Sequence, residues 1–335
     1  MLKSSDIAGA LTGKNLLEHV QKAKDKRTPL AEGFIYEQTI MMIAADPGLG
    51  KSTVSTQVAL ELAAGLPVFG YFKVLRPMKV FYIQTERNII EFLERLEVIG
   101  HTLPINYENL CVTDEFQKLN FIKPEHVDLF VECVKRDCPQ GVDIIFVDPL
   151  YSMVSGGLKD DVPASALTKA MSYIQKETKA TLWYNHHTVK TQYTNKGDAI
   201  ERFDPFYGSQ WLKAHVTGSY YMIKSDGGVK LIEKKDNYNL LPPEITLEYD
   251  PETELCCIAG ENLTALQKVE RYLQMREIDQ KSFTFADLEA STQLCNKTLR
   301  TILLHRSILD QLSVTTTSRN KKIYKISSRK TSCVV

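Results

Sequence analysis

Between the apolar run Thr39–Ala45 and a helical pattern opening at Thr53 lies Asp46-Pro47-Gly48-Leu49-Gly50-Lys51-Ser52. This strand, loop and helix order constrains the chain more than any other feature. Cradling a triphosphate needs a loop of free backbone N–H groups, a helix N-terminus aimed at the phosphates, and a cation. Gly48 and Gly50 let the backbone curl closely around the phosphates. Lys51 places an ammonium on the β/γ oxygens, and the Ser52 hydroxyl joins the magnesium shell. The predicted nucleotide-binding stretch is therefore Ala45, Asp46, Pro47, Gly48, Leu49, Gly50, Lys51, Ser52 and Thr53. Ala45 stands where the strict pattern has glycine, while both close-approach glycines are intact.

Uninterrupted apolar runs suit the central strands of a parallel sheet covered on both faces. Three more follow the first, at 79–85, 142–148 and 180–186. Between them the spacing predicts helices over 53–64, 89–99, 126–136 and 164–178. Strand alternating with helix predicts a doubly wound α/β domain with a mostly parallel sheet. After Ser209 the pattern turns to short strands at 220–225, 229–234, 245–250 and 255–259, an antiparallel extension of that sheet. From Leu263 onward it becomes three helices (264–277, 285–291, 296–306) and two strands joined by a basic turn. That is the winged helix-turn-helix order. The expected division is a lead-in over 1–34, a nucleotide-binding domain over 35–262 and a small winged-helix domain over 263–330.

At 335 residues, the chain is long enough for one large domain and one small one. Formal net charge is zero but unevenly spread: Thr264–Val335 holds 13 Lys+Arg against 6 Asp+Glu, leaving the remainder at −7. A basic tail on an acidic body points to a polyanionic partner, with simple solvation of a terminal domain as the alternative. The seven cysteines include no Cys-x-x-Cys pair, so neither a zinc site nor a disulfide framework is expected. No run has the length of a membrane span, and the first residues lack the apolar core of a secretory signal. The expected compartment is the cytoplasm.

Hydrolysis asks for two carboxylates. Asp148 closes the run VDIIFVD in the Walker B arrangement and is the candidate metal residue together with Ser52. Glu86 follows the run KVFYIQT, near the carboxyl edge of the sheet where ligands bind in such folds. It is the candidate that orients or deprotonates water.

The stretches ADPGLGKST, FYIQTER, IIFVDPLYSM, WYNHH, GSQWLKAHVTGSYYM and EKKDNYN resemble the RecA-like ATPase core, over roughly residues 30–245. The likeness is to RepA-type plasmid replicative helicases and the related DnaB motor. It implies a ring oligomer, a hexamer, that uses ATP and Mg2+. By this resemblance Glu86 is the catalytic glutamate, acting with Lys51. His187 is the polar sensor that links γ-phosphate to the DNA-binding loops, and His186 is assigned no role. Lys234 and Lys235 resemble a basic finger reaching into the neighbouring subunit's site. Relatives often carry an arginine where this chain has Thr217, which leaves Lys213, Lys234 and Lys235 as finger candidates.

The resemblance also implies single-strand binding through loops at 152–163 and 188–207. The second interleaves Lys190, Lys196 and Arg202 with Tyr193, Phe203 and Phe206, a composition suited to tracking phosphates and stacking bases. In the tail, Lys297, Arg300 and Arg306 fall on the expected recognition helix, and Arg319, Lys321 and Lys322 on the wing. Winged helices also dock proteins, but the basic charge favours nucleic acid. The expected function is an ATP-dependent nucleic-acid motor, a replicative DNA helicase of a mobile element. The alternative is an ATP-switched DNA-binding regulator or recombinase-like filament that does not unwind.

Overall fold

The computed structural model describes residues 14, 28–86, 88–154, 161–188, 210–251, 253–259, 268–269, 272–273, 276, 281–292, 294–304, 306–309, 312–316 and 322–326. Two short strands, β1 (Pro29–Ala31) and β2 (Ile35–Tyr36), pair antiparallel at the start. The chain then alternates: β3 (Ile40–Ala45), α1 (Lys51–Ala64), β4 (Val80–Gln84), α2 (Ile89–Gly100), β5 (Leu110–Thr113) and α3 (Pro124–Asp137). It continues with β6 (Ile144–Asp148), α4 (Asp161–Thr178), β7 (Thr181–His187) and α5 (Gln210–His215). A meander of β8 (Gly218–Ser225), β9 (Gly228–Asp236), β10 (Glu244–Asp250) and β11 (Leu255–Ile258) completes the body.

All these strands from β3 onward form one nine-stranded sheet, ordered β11-β10-β9-β8-β3-β7-β6-β4-β5. From β8 across to β5 every pairing is parallel, and from β8 to β11 every pairing is antiparallel. The expected parallel core with an antiparallel extension is what the sheet contains.

Side chains alternate across a strand, so an all-apolar strand must be covered twice. Met41, Ile43 and Ala45 face one core with Val54, Val58, Phe92 and Leu96 of α1 and α2. Ile40, Met42 and Ala44 face the other, with Val127, Phe130, Leu167 and Met171 of α3 and α4. The same division runs through Tyr82 against Phe81 and Phe146 against Ile145. Helix α1 is buried nearly all round, and its polar residues are satisfied inside. Gln57 receives the Cys256 N–H and donates to the Cys256 carbonyl, both at 2.6 Å, tying α1 to β11.

Residues 30, 31 and 34 belong to the core of the body. Leu30, Ala31 and Phe34 are fully buried. The Phe34 ring stacks on Phe72 with centroids 4.8 Å apart and meets the edge of Trp183 at 5.8 Å. Phe34→Ala is expected to destabilise the protein by about 3–5 kcal/mol, measured by denaturant unfolding. A loss below about 1 kcal/mol would place Phe34 outside the cooperative core.

After the body come β12 (Phe283–Thr284), α6 (Phe285–Thr292), α7 (Asn296–Leu303), α8 (Arg306–Leu309), β13 (Leu312–Thr316) and β14 (Lys322–Ile326). Their strands form a separate antiparallel sheet, ordered β12-β14-β13. It has its own core of Val269, Tyr272, Leu273, Phe283, Leu288, Leu299, Ile308 and Tyr324. The helix expected over 296–306 is two: α7 ends at Leu303 and α8 begins at Arg306. Most of the expected helix 264–277 lies outside the described residues. Among the described residues the cysteines are free thiols, and no helix is long and apolar enough to cross a membrane.

Candidate active site

Parallel strands deliver their last residues to one edge of a sheet, and the loops beyond that edge form the site. Strand β3 ends at Ala45, and the loop 46–50 leads directly into α1. Gly48 and Gly50 have φ of +82° and +89°. A Cβ on Gly50 would meet only Thr53, at 3.6 Å, so the left-handed backbone rather than lack of room demands glycine there. Gly50 caps α1 without a side chain, which leaves the first-turn N–H groups pointing into the loop. Ala45 is the last residue of β3 and fully buried. Its methyl therefore packs in the core and does not intrude on the loop, which accounts for the departure from the strict motif.

Lys51 is buried and donates to the Ala45 carbonyl at 3.1 Å. Burial lowers the pKa of its ammonium, while Asp148, Glu86 and Asp46 act to keep it charged. Asp148 closes β6 beside Gln84, the last residue of β4. It is buried and accepts from the Tyr82 hydroxyl at 2.8 Å. Burial raises the pKa of its carboxyl, whereas the neighbouring Asn185, Tyr82 and Ser52 side chains favour the ionised form. Ser52 and Asp148 thus sit side by side, as a shared magnesium ion requires. No cluster of three His, Cys, Asp or Glu side chains capable of holding a metal occurs among the described residues. Magnesium suits such a site, since it keeps several waters and takes substrate phosphates as ligands.

Glu86 lies two residues beyond β4, and His187 is the last residue of β7. The two meet: His187 Nε2 is 3.4 Å from Glu86 Oε1. The Tyr151 hydroxyl donates to the same oxygen at 2.7 Å, and its ring packs on His187 at 4.7 Å. The Glu86 carboxylate pushes the Tyr151 phenol up to about 12, so Tyr151 stays a donor. Burial, and then Lys51, pull the His187 imidazole below its ordinary value, so it is neutral at pH 7. His186 is fully buried, on the face of β7 away from this cluster.

Nothing in the sequence marks Tyr151, although it lies three residues past Asp148. Tyr151→Phe is expected to lower turnover several-fold, in kcat more than KM, with melting temperature nearly unchanged because the side chain is exposed. Steady-state kinetics with a thermal melt checks this, and unaltered kcat would make the hydrogen bond incidental. Other partners were also missed. Thr188 donates to the loop residue Asp46. Arg95, on α2, donates to Thr53 at 2.6 Å and pairs with Glu254 at 3.1 Å. Nothing in the sequence links Arg95 to a residue 42 positions away.

A groove of about 530 Å3 adjoins the loop, lined by Leu49, Thr53, Tyr249, Cys256 and the β8–β9 turn. That is ample for a nucleoside. A larger apolar groove of about 950 Å3 between α3 and α4 contains none of the site residues Lys51, Ser52, Glu86, Asp148, Tyr151 and His187.

The finger candidates lie elsewhere. Met41 is level with Gly218 and Ala45 with Met222, so Thr217 and the end of β9 sit at the sheet edge opposite the phosphate loop. Thr217 binds both the N–H and the carbonyl of Ile40. The Lys235 ammonium caps α5, donating to the Lys213 and Ala214 carbonyls at 2.8 and 2.7 Å. Lys234 is exposed. None of Lys213, Lys234 and Lys235 joins the Lys51 cluster of its own chain. Of the expected DNA contacts, Lys297, Arg300 and Lys322 are exposed on the C-terminal unit. Lys190, Lys196, Arg202 and Lys321 lie outside the described residues.

A phosphate loop, a buried strand-end aspartate and a glutamate just beyond a strand end share one edge of a largely parallel sheet, which is the arrangement of a P-loop ATPase. The chain belongs to the AAA domain family, which matches residues 13–193. It is also similar to the crystal structure of a KaiC-like protein from the hyperthermophilic archaeon Pyrococcus horikoshii OT3. That likeness has a TM-score of 0.47 at 11% identity, over 70% of this chain and 98% of the other. No curated protein matches the chain.

Proposed function

We propose that the protein is an ATP-driven nucleic-acid motor, a ring-forming replicative DNA helicase of a mobile element. The observation that carries this reading is the convergence of Lys51, Asp148, Glu86 and His187 at the ends of adjacent parallel strands. In this reading the loop N–H groups and Lys51 hold the triphosphate. Ser52 and Asp148 would hold a magnesium ion, and the chemistry it would supply there is neutralisation of phosphate charge. Glu86 takes a proton from the attacking water, and Tyr151 and His187 fix the carboxylate that does so. His187 meets Glu86 and is followed in sequence by Lys190, Lys196 and Arg202. That contact supports a role for His187 in relaying γ-phosphate loss to a bound single strand.

The finger residues, Lys213, Lys234 or Lys235, act on a neighbour's site. A candidate at the opposite sheet edge of its own chain is what an intersubunit role asks for. Residues 263–330 are a winged helix on this reading, the hairpin β13–β14 being its wing. Strand displacement on a forked DNA with ATP, together with hydrolysis stimulated by single strands, tests the proposal. Tight duplex binding with ATP-dependent assembly and no displacement would instead establish the regulator or filament alternative.

A further inference from the structure

Helix α2 turns Phe92, Leu96 and Ile99 into the core, as an amphipathic helix should. Its outer face is not the polar surface that this pattern leads one to expect. Ile90 is 61% exposed, and Leu93 and Val98 are exposed beside it. Glu91, Glu94 and Glu97 alternate with them around the same arc, and none forms an ion pair with a described residue. The helix therefore presents a stripe that is both apolar and acidic. Such clustered apolar exposure marks interaction surfaces.

The C-terminal unit carries the complementary surface. A groove of about 700 Å3 opens between α7, α8 and β13, with Arg300 and Lys322 among its lining residues. Three aliphatic side chains in it face solvent: Leu304, 73% exposed, Leu309 and Val314. Phosphate contacts need cations and polar donors, and a nucleic-acid backbone would leave this aliphatic surface wet. An apolar helix face edged with carboxylates would cover it and pair its cations.

We propose that the basic-edged groove on the C-terminal unit of one copy docks the acidic, apolar face of α2 on a second copy. Charge complementarity selects the occupant, and exposure selects the second copy, because both faces are exposed within a single chain. The contact would also bear on the ATP site, since α2 carries the Arg95 that holds Thr53 of the first turn of α1.

The test is a charge swap in the full-length chain, read by sedimentation velocity over a concentration series without nucleotide. Glu94→Lys/Glu97→Lys and Arg300→Glu/Lys322→Glu, each alone, are expected to self-associate about ten-fold or more weakly. An equimolar mixture of the two is expected to associate like the wild type. In the mixture one contact is native, and the other has both signs reversed. Misfolded variants would not recover on mixing. Leu304→Asp, at an exposed position, should weaken association similarly. A wild type that stays monomeric overturns the proposal, as does unchanged association of the variants or a mixture that remains weak. Loss of duplex DNA binding by Arg300→Glu/Lys322→Glu with self-association intact would assign the groove to DNA and likewise overturn it.

Discussion

Lys51→Ala is expected to abolish ATP turnover, a fall of at least about 10²–10³-fold, the cost of removing a preorganised electrostatic donor. The ammonium is buried, so little solvent screens its charge. Burial works against its charged form, and the nearby Asp148, Glu86 and Asp46 carboxylates work in its favour. A triphosphate brought beside it adds several negative charges within a low-dielectric site, where one cation contributes far more than in water. Alanine removes that cation and leaves the phosphates facing Asp148 and Glu86 unscreened. ATP affinity should therefore fall along with kcat. The lost bond to the Ala45 carbonyl is a smaller matter, about 1–3 kcal/mol for a charged donor, and the melting temperature reports it separately. Phosphate release measured beside a thermal melt distinguishes the two effects. A variant that folds and turns over ATP at the wild-type rate would remove the nucleotide site from the account.

The parts of this fold that could be read from the chain are those where one physical demand dominates a whole segment. Ile40–Ala45, Val80–Gln84 and Ile144–Asp148 are buried on both faces, so their residues are almost all apolar and the runs stand out, while Thr181–His187 shows itself by the apolar centre Leu182–Tyr184. The antiparallel strands after Gly218 were visible because turn residues separate them. Strand β5 was not. Leu110–Thr113 is a half-buried edge, too short for a pattern, and only its neighbour β4 makes it a strand. The pair β1 and β2 was missed for the same reason, although Phe34 between them anchors an aromatic cluster drawn from distant segments. Site residues divide similarly. Lys51, Asp148 and Glu86 announce themselves because loop glycines and strand ends fix where they must be. Tyr151, Thr188 and Arg95 act through tertiary proximity, and a tyrosine, threonine or arginine in isolation carries no mark of that. The contacts of Tyr151 exist only once β4, β6 and β7 lie side by side, that of Thr188 once β7 lies beside β3, and that of Arg95 once α2 packs near α1.

Glu86→Gln is expected to leave ATP binding intact and to lower turnover by about 10²–10⁴-fold, the range for loss of a positioned general base. The substitution keeps the side chain's size, and the amide oxygen still accepts from the Tyr151 hydroxyl now 2.7 Å away. What disappears is the capacity to take a proton. The charge change works on binding in the opposite sense to Lys51→Ala. Removing a carboxylate from beside an anionic triphosphate relieves repulsion, so ATP should bind as tightly as in the wild type or more tightly. The two variants thus separate binding from chemistry. One loses both, the other only the second. Glu86 is partly exposed, so folding stability should change by no more than about 0.5 kcal/mol. Nucleotide affinity by fluorescence titration and single-turnover phosphate release together decide the matter. If ATP binding fails as well, Glu86 serves to hold the loop. If turnover survives, the water is activated by some other group, and the contacts of Glu86 with Tyr151 and His187 are structural.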